Sequence, residues 1–265
     1  MLTFRDFSTA FRKLDLDRSR PVIAHASLSA FGEVQSGAEA VLGAMLMSFN
    51  TLIMPTFTYN TMIIPEVGPP DNAISYGSGK DINKMAEFFH PDMPADKMMG
   101  SVAEALRRHP KAHRSMHPIL SFAGANAERI LDAQTLNEPL IPLHALRQEE
   151  GWVLLMGVDQ TVNTSIHYAE MLAGRKQFTR WALTPKGVVT CEGFPGCSDG
   201  FEAISPRLDG VARRVEIGEG VIQAMPLVNL VDIACAMLVE DPLALLCGRE
   251  DCERCNALRA SVTKQ

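Results

Sequence analysis

A histidine and a glutamate stand three residues apart in the stretch VNTSIHYAE, and this pairing could perform acid–base chemistry. The stretch directly follows the apolar run WVLLMGV, which is typical of a buried strand. Asn163 or Thr164 can cap a helix here and Gly174 can end it, so both groups would share one helical face. The positive end of the helix disfavours imidazolium, which would keep His167 neutral and able to accept a proton. Glu170 would orient the ring.

Two other interpretations of this pair stay open at the level of the sequence. A surface helix that starts with a partly buried histidine would place the same residue types at the same spacing. His167 and Glu170 could also be two ligands of a metal ion, although two ligands do not complete a site. A catalytic role therefore needs support from elsewhere in the chain.

A second polar cluster lies in the stretch HASLSAFGEVQSGAEAV, which begins at His25 and leads from an apolar segment into a helical one. Backbone amides and hydroxyls of this loop are free to face an anion, and its small residues are Ser27, Ser29, Gly32, Ser36 and Gly37. No Gly-Lys-Ser/Thr closes the loop and it lacks the dinucleotide fingerprint, which excludes these two kinds of phosphate site. The alternative is an ordinary loop between a strand and a helix.

The stretch HRSMHPILS forms a third cluster, at the predicted start of a strand. Arg114 could form a bidentate contact with a phosphate or a carboxylate. Ser115 and His117 follow it, and Pro118 restricts the backbone at the entry to the strand. Each residue alone could belong to an ordinary surface, but three polar clusters at strand edges together indicate a binding site.

The C-terminal stretch CGREDCERC contains three cysteines, Cys247, Cys252 and Cys255. The C-x₂-C half has the spacing of a zinc site, and a closed structural site needs four ligands. Cys197, in the turn-like FPGCSDG, is the favoured fourth ligand, with Cys191 as the next choice. Three reduced thiols on the surface are the alternative.

The composition is that of an ordinary soluble protein. The chain has 265 residues, of which 46% are apolar, so it can bury a substantial core. A formal charge of −6 argues against nucleic-acid binding and favours a cationic small partner. The N-terminal stretch lacks an apolar signal region, and no run is long and apolar enough to span a membrane. We therefore expect a cytoplasmic protein whose six cysteines serve as thiols or metal ligands.

The elements that would position these clusters alternate between strands and helices. Apolar runs predict strands at residues 21–27, 51–58, 117–124 and 152–158, and periodic apolar residues predict helices at 4–15, 38–49, 101–109, 126–134 and 229–241. The first strand–helix–strand unit implies two parallel strands. Residues 180–194 predict a hairpin that turns at Lys186 and Gly187. Residues 59–99 predict a long surface excursion.

Together, the polar clusters resemble those of the aminoglycoside 3-N-acetyltransferase family, a group of acetyl-CoA-dependent enzymes unrelated in fold to the GNAT acetyltransferases. The matching stretches occur in the family's order; they are HASLSAFGEVQSGAEAVLGAM, TLIMPTFTYNT, GSVAEALRRHPKAHRSMHPILSFAG and LLMGVDQTVNTSIHYAE. They cover residues 20–175, with weaker similarity to about residue 240. The elements RS-x-HP and NTS-x-H-x-x-E are specific in combination. The cysteine-rich tail is not part of this pattern.

The resemblance implies an α/β fold with a central, largely parallel sheet flanked by helices. An antiparallel hairpin and a cysteine-rich C-terminal tail complete the expected architecture. We expect an acetyltransferase domain over residues 1–240 and a tail over residues 241–265 that packs on the same domain. The resemblance also implies acetyl-CoA as the acetyl donor, in a ternary complex with an amine acceptor.

The resemblance assigns roles to residues by position. His167 looks like the catalytic base, and Glu170 like its neighbour in the acceptor or orienting site. The walls of the CoA site would include His25, Ser27, Leu28, Phe31, Gly32, Arg114, Ser115 and His117. A tetrahedral oxyanion needs hydrogen-bond donors, which groups near Thr164 or in the loop at residues 25–32 could supply. We expect direct transfer, because no cysteine lies in a recognised nucleophile motif.

The expected function is therefore N-acetyl transfer from acetyl-CoA to an amine, such as the 3-amino group of an aminoglycoside, with antibiotic resistance as one outcome. The expected partners are this cationic amine and, as one option, a second copy of the chain in a homodimer; nucleic acid and membranes are not expected. A structural zinc ion on the four cysteines is an additional expected cofactor. Two rivals stay open, a zinc-dependent hydrolase and a catalytically silent protein that keeps the CoA cleft.

Overall fold

A mixed seven-stranded sheet forms the centre of the computed structural model, which describes residues 1–263. In chain order the strands are β1 (Val22–Ala26), β2 (Leu52–Pro55), β3 (Met62–Ile63), β4 (Ala112–Arg114), β5 (Phe122–Ala125), β6 (Trp152–Met156), β7 (Phe178–Thr184), β8 (Gly187–Phe194), β9 (Arg213–Ile217) and β10 (Gly220–Pro226). The helices are α1 (Phe4–Leu14), α2 (Gly37–Ser48), α3 (Gly100–Arg108), α4 (Glu128–Leu131), α5 (Ile141–Gln148), α6 (Thr164–Leu172), α7 (Ser205–Leu208), α8 (Leu227–Glu240) and α9 (Glu253–Val262).

Strands β2, β1 and β6 are parallel neighbours at the centre of this sheet. Val22 of β1 pairs with Leu52 on one side and with Trp152 on the other. Every residue of β1 and β6 is buried, as expected for parallel strands covered on both faces. The predicted α/β fold with a parallel centre is confirmed, as is the parallel pairing predicted from the first strand–helix–strand unit.

The outer strands of the sheet are antiparallel, in the order β4-β5-β2-β1-β6-β10-β9. Only Gly218 and Glu219 connect β9 to β10. A connection of two residues can join only antiparallel strands. Gly218 adopts a φ of +58°, which glycine tolerates without strain. The sequence did not predict β9 because its stretch RRVEI is charged and largely exposed.

Two hydrophobic layers enclose the central sheet. Helices α1, α2 and α3 supply buried residues to one layer, including Phe7, Met45 and Leu106. Helices α5, α6 and α8 supply the other layer. Within that layer Ile166 and Tyr168 of α6 are almost fully buried, so α6 is held rigidly on the carboxyl side of β6.

A second sheet of three antiparallel strands, β3-β7-β8, packs beside the main one. Strands β7 and β8 form the predicted hairpin, with Thr184 paired to Gly187 across a turn at Pro185 and Lys186. Alternate residues of β7 are buried, so one face of the hairpin joins the core. Its other end reaches the cavity described below.

Two local predictions differ from the structure. The strand predicted at residues 117–124 begins only at Phe122, because Nδ1 of His117 accepts hydrogen bonds from the backbone N–H groups of Ile119 and Leu120 and closes a turn. Asn126 does not cap α4. It adopts a φ of +52° and donates its side-chain amide to a distant carbonyl instead.

The excursion at residues 59–99 is anchored to the body of the protein. Its backbone N–H groups at Phe89 and Asp96 donate to the carbonyls of Leu183 and Phe57. It also contributes β3 to the second sheet. In residues 1–263, no helix combines the length and the apolar character needed to cross a membrane.

Candidate active site

A cavity of about 1040 Å³ opens where the central parallel strands end. Its lining includes His25 near the end of β1, Pro55 at the end of β2 and Val158 shortly after β6. Other walls come from the excursion, from the second sheet and from the C-terminal tail; they include Ile63, Met99, Arg180, Phe194, Asp199, Cys252 and Arg254. The carboxyl ends of parallel strands are a usual place for ligands, and this volume is large for a small-molecule site.

Helix α6 starts at the edge of this cavity and carries the histidine–glutamate pair. Asn163 is its N-cap, and its side-chain oxygen accepts from the backbone N–H of Ser165 at 3.1 Å. The amide nitrogen of Asn163 donates to Oε1 of Gln160 at 2.8 Å, which fixes the orientation of the cap. Gly174 follows the last turn with a φ of +77°. The helix predicted from Asn163 to Gly174 is therefore confirmed.

His167 and Glu170 meet on one face of α6, as the spacing predicts. Nδ1 of His167 lies 2.7 Å from Oε2 of Glu170, whose side chain is only 1% exposed. Because a carboxylate accepts hydrogen bonds, this contact places the proton of a neutral imidazole on Nδ1 and leaves a lone pair on Nε2. His167 lines the cavity, so this arrangement suits a general base.

Arg175 completes the surroundings of the carboxylate. It donates to Oε1 of Glu170 at 2.5 Å and is itself 7% exposed at the side chain. A second nitrogen of Arg175 donates to the carbonyls of Pro242 and Ala244. Both oxygens of Glu170 are thereby engaged, one by the imidazole and one by a permanent cation, so the carboxylate cannot rotate freely.

An aromatic ring holds the other side of the histidine. The rings of His167 and Phe201 lie 4.6 Å apart at an angle of 64°, which is an edge-to-face contact. Phe201 is fully buried. The imidazole is consequently fixed by packing as well as by hydrogen bonding.

Thr164 lies at the first position of α6 and lines the cavity. The first N–H groups of a helix have no partner within the helix, so they can donate to an anion at this end. Thr164 therefore occupies a suitable position for the predicted oxyanion donor. The side chain of Ser165, next to it, is completely buried.

His25 lies in the floor of the cavity and is 7% exposed. Burial lowers the pKa of His25 to about 3, so the ring is neutral. In residues 1–263 its Nε2 atom has no hydrogen-bond partner, which leaves this atom for a bound molecule. Of the residues predicted to form the CoA site, His25 is the one that lines the main cavity.

Arg114 does not line the main cavity, and its predicted contact with an anion stays a prediction. Its guanidinium is buried and donates to the backbone carbonyls of Pro91, Met93 and Thr56 and to Oγ of Ser121. These bonds occupy the donors that an anion would need. Burial lowers the pKa of Arg114 to about 10, which still leaves it charged at neutral pH. The residue anchors the excursion to the sheet.

Ser115 and His117 are also turned inward. Oγ of Ser115 accepts from the N–H of Phe122 at 2.9 Å, and His117 closes the turn described above. Burial lowers the pKa of His117 to about 4. Neither residue lines the cavity, and their predicted place in a CoA site stays a prediction. Their polar atoms accept hydrogen bonds from nearby backbone N–H groups. The sequence pattern alone could not distinguish this role from ligand binding.

The remaining residues of the predicted CoA loop have mixed surroundings. Ser27 lines a smaller depression next to the main cavity, and its hydroxyl lies 3.2 Å from that of Ser29. Phe31 packs against Phe7 in the core, and its predicted contact with CoA stays a prediction. Two further residues lie outside the main cavity, Leu28, which packs on the core, and Gly32, which faces the carboxylate of Glu219.

Arg180 is a cavity residue that no sequence pattern predicted. This arginine is 4% exposed, lines the cavity and stacks between the rings of Phe178 and Phe194 at 5.3 and 4.9 Å. Burial lowers its pKa to about 10. Its alternation with apolar residues in β7 indicated an exposed strand position, and no sequence signal pointed to a cavity.

The four predicted zinc ligands come together in space. The sulfur atoms of Cys197, Cys247, Cys252 and Cys255 all lie within 4.8 Å of one another, and the four side chains are buried as free thiols. Cys191 lies in β8, inside the main core and outside this cluster. The structure therefore places Cys197 beside the three tail cysteines, as predicted, and does not place Cys191 there. Cys252 also lines the cavity.

The chain resembles known proteins in sequence and in structure. The model of the family described as aminoglycoside 3-N-acetyltransferase matches residues 23–239. The prophage-derived aminoglycoside N(3')-acetyltransferase-like protein YokD of Bacillus subtilis is 30% identical over 63% of this chain and 64% of its own length. Aminoglycoside N(3)-acetyltransferase IX of Micromonospora chalcea is 33% identical over 57% of this chain and 56% of its own length. These two alignments thus cover less than two thirds of each relative.

Solved structures show the same fold. The apoenzyme of aminoglycoside acetyltransferase AAC(3)-IVa superposes with a TM-score of 0.79 at 23% identity and covers 98% of both chains. A mutant of that enzyme in complex with gentamicin gives a TM-score of 0.78 at 22% identity, covering 98% of this chain and 97% of its own. A binary complex of AAC-IIIb with CoASH gives 0.71 at 19% identity, covering 90% of this chain and 96% of its own.

Proposed function

The chain belongs to the aminoglycoside 3-N-acetyltransferase family, and on that premise we propose that it transfers the acetyl group of acetyl-CoA to an amine of an aminoglycoside or of a related cationic compound. The observation that carries this proposal is the contact of 2.7 Å between Nδ1 of His167 and Oε2 of Glu170 at the edge of a large cavity. One solved structure of similar fold is a complex with CoASH and another a complex with gentamicin, which supports the choice of donor and acceptor.

In the proposed reaction His167 acts as the general base. A protonated amine has no lone pair for attack, so a base must remove its proton before or during bond formation. Nε2 of His167 takes this proton, and the carboxylate of Glu170 stabilises the imidazolium that forms. The nitrogen then bonds to the thioester carbon and the C–S bond breaks. The imidazolium of His167 gives its proton to the sulfur, so that CoA leaves as the thiol, and the nitrogen of the new amide releases its remaining extra proton to solvent.

The tetrahedral intermediate carries a negative oxygen that needs hydrogen-bond donors. The backbone N–H of Thr164, at the first position of α6, is the proposed donor, because Thr164 lines the cavity and the N–H groups of Ser165 and Ile166 already donate to Asn163. His25 is the second proposed contact, because its Nε2 has no partner within the described part of the chain. A neutral ring at this position can hold a polar group of the pantetheine arm or of the acetyl carbonyl.

The cavity wall formed by the loop after Cys197 and by the C-terminal tail carries acidic groups that suit a cationic acceptor, and we assign the acceptor to this wall. Carboxylates at Asp199, Asp251 and Glu253 line this side. Arg249 and Arg254 line the same wall, so it carries charges of both signs. A bound polyamine would compete with these arginines for the carboxylates. The overall charge of −6 agrees with a cationic acceptor, and a cytoplasmic location, where acetyl-CoA is made, belongs to the same proposal.

A zinc-dependent hydrolase is not favoured. The cysteine cluster supplies four sulfur donors, and a tetrahedral ion with four protein ligands keeps no open position for a water molecule. Neither His167 nor Glu170 belongs to the cluster. The proposal therefore gives these cysteines a structural zinc ion and keeps the metal out of the reaction.

Release of free CoA thiol over a panel of amines tests the proposal directly. Wild-type protein should release thiol from acetyl-CoA only when an accepted amine is present, and His167→Ala should bind acetyl-CoA without turnover. Acetyl-CoA should also raise the melting temperature of both proteins. A protein that is stabilised by acetyl-CoA but acetylates no amine in a panel of aminoglycosides and simple polyamines would instead be a silent CoA binder.

A further inference from the structure

The cysteine cluster has the geometry of a closed metal site. With Zn–S bonds of about 2.3 Å, the ligands of a tetrahedral zinc ion are separated by about 3.8 Å. The four sulfur atoms already lie within 4.8 Å of one another, and those of Cys247 and Cys255 are 3.4 Å apart. A set of four thiolates selects a soft ion such as Zn²⁺ over Mg²⁺ or Ca²⁺. The residues present therefore fit zinc without rearrangement of the backbone.

We propose that Cys197, Cys247, Cys252 and Cys255 bind one Zn²⁺ ion, and that this metal centre positions the catalytic pair on α6. The first statement stands on the cysteine geometry alone, whereas the second rests on the proposed function. The metal would join two segments distant in sequence, the loop at residues 196–202 and the tail that begins after α8. Each of these segments contacts the surroundings of the pair.

The loop that follows Cys197 reaches the histidine through Phe201. Only three residues separate Cys197 from Phe201, whose ring packs edge-to-face on His167 at 4.6 Å. Between them, Gly200 touches the tail so closely that an added Cβ would lie 2.5 Å from the carbonyl carbon of Leu246. The loop is thus clamped between the tail and the imidazole.

The same loop supports the start of α6 through Glu202. Its Oε2 accepts from the backbone N–H of Gln160 at 2.9 Å. Oε1 of Gln160 in turn accepts from the side chain of Asn163, the N-cap of α6. A displacement of the loop would therefore reach the first turn of the helix that carries His167.

The tail reaches the glutamate through Arg175. This arginine donates to the carbonyls of Pro242 and Ala244 at 2.7 and 2.8 Å, a few residues before Cys247, while its other nitrogen holds Glu170. If the tail moves away, Arg175 loses the partners that orient it. The charge of the carboxylate would then be less well placed to stabilise an imidazolium.

Other contacts between loop and tail are weaker than a metal centre. Arg249 pairs with Asp199 at 3.1 Å, but both side chains are about half exposed, and such pairs contribute little. Arg254 donates to the carbonyl of Gly196 at 2.9 Å. Four buried thiols without a metal would add little attraction of their own, whereas zinc binding supplies folding free energy directly. The metal is therefore the main connection between the two segments.

Metal content tests the first statement independently of any activity. Protein purified without chelator should contain about one zinc ion per chain, and Cys252→Ser should lower this content substantially. Cys191→Ala, which removes a buried sulfur outside the cluster, should keep it. Co²⁺-substituted protein should show the visible absorption of a tetrahedral thiolate site. Less than about a tenth of an equivalent of zinc, together with no such spectrum, would overturn the metal site.

The effect of the metal on the catalytic pair tests the second statement. Removal of zinc by a chelator should lower kcat by about tenfold or more, with a smaller change in KM for acetyl-CoA, and added Zn²⁺ should restore it. In the metal-free protein, the imidazole ¹⁵N signals of His167 should no longer show an Nδ1–H group that is hydrogen-bonded to a carboxylate. The signals are assigned to His167 by their absence from His167→Ala. Folded metal-free protein with unchanged kcat and an unchanged signal would overturn the positioning role.

Two variants decide the question if the metal-free chain unfolds. Phe201→Leu removes the ring contact with His167, and Arg175→Met removes the hydrogen bond to Glu170, while the four cysteines stay in place. Both proteins should therefore keep their zinc. Both should nevertheless show a reduced kcat and an altered ¹⁵N signal of His167. Full activity and an unaltered signal in both variants would overturn the positioning role. A failure of the proposed function remains distinguishable, because it would abolish turnover in wild-type protein without affecting zinc content or the imidazole signal.

Discussion

Glu170 lies directly between His167 and Arg175, with one carboxylate oxygen 2.7 Å from Nδ1 and the other 2.5 Å from the guanidinium. The arginine fixes the carboxylate, and the carboxylate fixes the tautomer of the imidazole. The lone pair on Nε2 is consequently prepared before any substrate arrives. This preorganisation is what a general base at the edge of a substrate cavity requires.

Replacement of His167 by alanine tests this role. His167→Ala should lower kcat by roughly 10²–10⁴-fold, the usual loss when a positioned acid–base group is removed, while acetyl-CoA binding changes little. Steady-state kinetics and a thermal shift with acetyl-CoA measure the two quantities. His90→Ala is the matched control, because His90 is exposed and lies outside the cavity. A His167→Ala protein with half of the wild-type kcat would show that the base is another group.

Replacement of Glu170 by glutamine separates orientation from charge. The amide oxygen of Glu170→Gln can still accept from Nδ1 of His167, but it carries no charge to stabilise imidazolium or to pair with Arg175. We expect kcat to fall less than in His167→Ala and the stability of the fold to decrease, because a buried arginine loses its ionised partner. Kinetics and urea denaturation measure both effects. A loss equal to that of His167→Ala would indicate that Glu170 also holds the acceptor amine.

The sequence predicted the parts of this site that lie within one element. The helix start at Asn163 and the spacing of His167 and Glu170 depend on local rules that hold in any fold. Arg175 and Phe201 could not be predicted, because their contacts to the pair depend on how α6 meets the tail and the loop after Cys197. Such contacts arise from the tertiary fold, and no residue pattern along the chain carries them.

The surroundings of Arg114 depend on the tertiary fold in the same way. A polar cluster before an apolar run looks the same whether its donors face a ligand or a backbone carbonyl. The structure shows that Arg114 satisfies the carbonyls of the excursion, whose irregular backbone has few partners of its own. The sequence predicted the excursion itself, but it could not show which side chain would hydrogen-bond the excursion to the rest of the protein.

Replacement of Arg114 should therefore affect stability more than substrate binding. Arg114→Met keeps the apolar stem but leaves the carbonyls of Pro91, Met93 and Thr56 without their donor. The loss should be on the order of 2–3 kcal/mol of unfolding free energy, measured by urea denaturation. KM for acetyl-CoA should stay within about twofold of wild type in the folded protein. If Arg114→Met raised KM for acetyl-CoA tenfold or more and left the unfolding free energy unchanged, Arg114 would belong to the CoA site.

The buried histidines predict how stability depends on pH. The pKa of His25 is about 3 in the folded protein and near 6.5 when the chain unfolds, so below pH 6.5 the unfolded state binds the additional proton. Stability is full above pH 6.5 and falls as the pH drops toward 3, by about 1.4 kcal/mol per pH unit. His117, with a pKa of about 4, acts in the same direction.

Urea denaturation between pH 7 and pH 5 checks this expectation. His25→Asn should reduce the slope of unfolding free energy against pH by about one proton, whereas the exposed His90→Ala should leave the slope unchanged. An equal slope in wild type and His25→Asn would mean that His25 titrates normally in the folded protein.

The N-cap of α6 offers a test of how strongly local structure controls the site. Asn163 accepts from the N–H of Ser165 and donates to Gln160, so Asn163→Ala removes both contacts and should cost about 1 kcal/mol of stability. Asn163→Ser keeps an oxygen that can cap the helix but loses the donor to Gln160. Because the cap sets the first turn of α6, we expect kcat to fall in the order wild type, Asn163→Ser, Asn163→Ala, with KM for acetyl-CoA nearly constant. If Asn163→Ala loses the expected stability yet turns over at the wild-type rate, packing against Phe201 alone is sufficient to place His167.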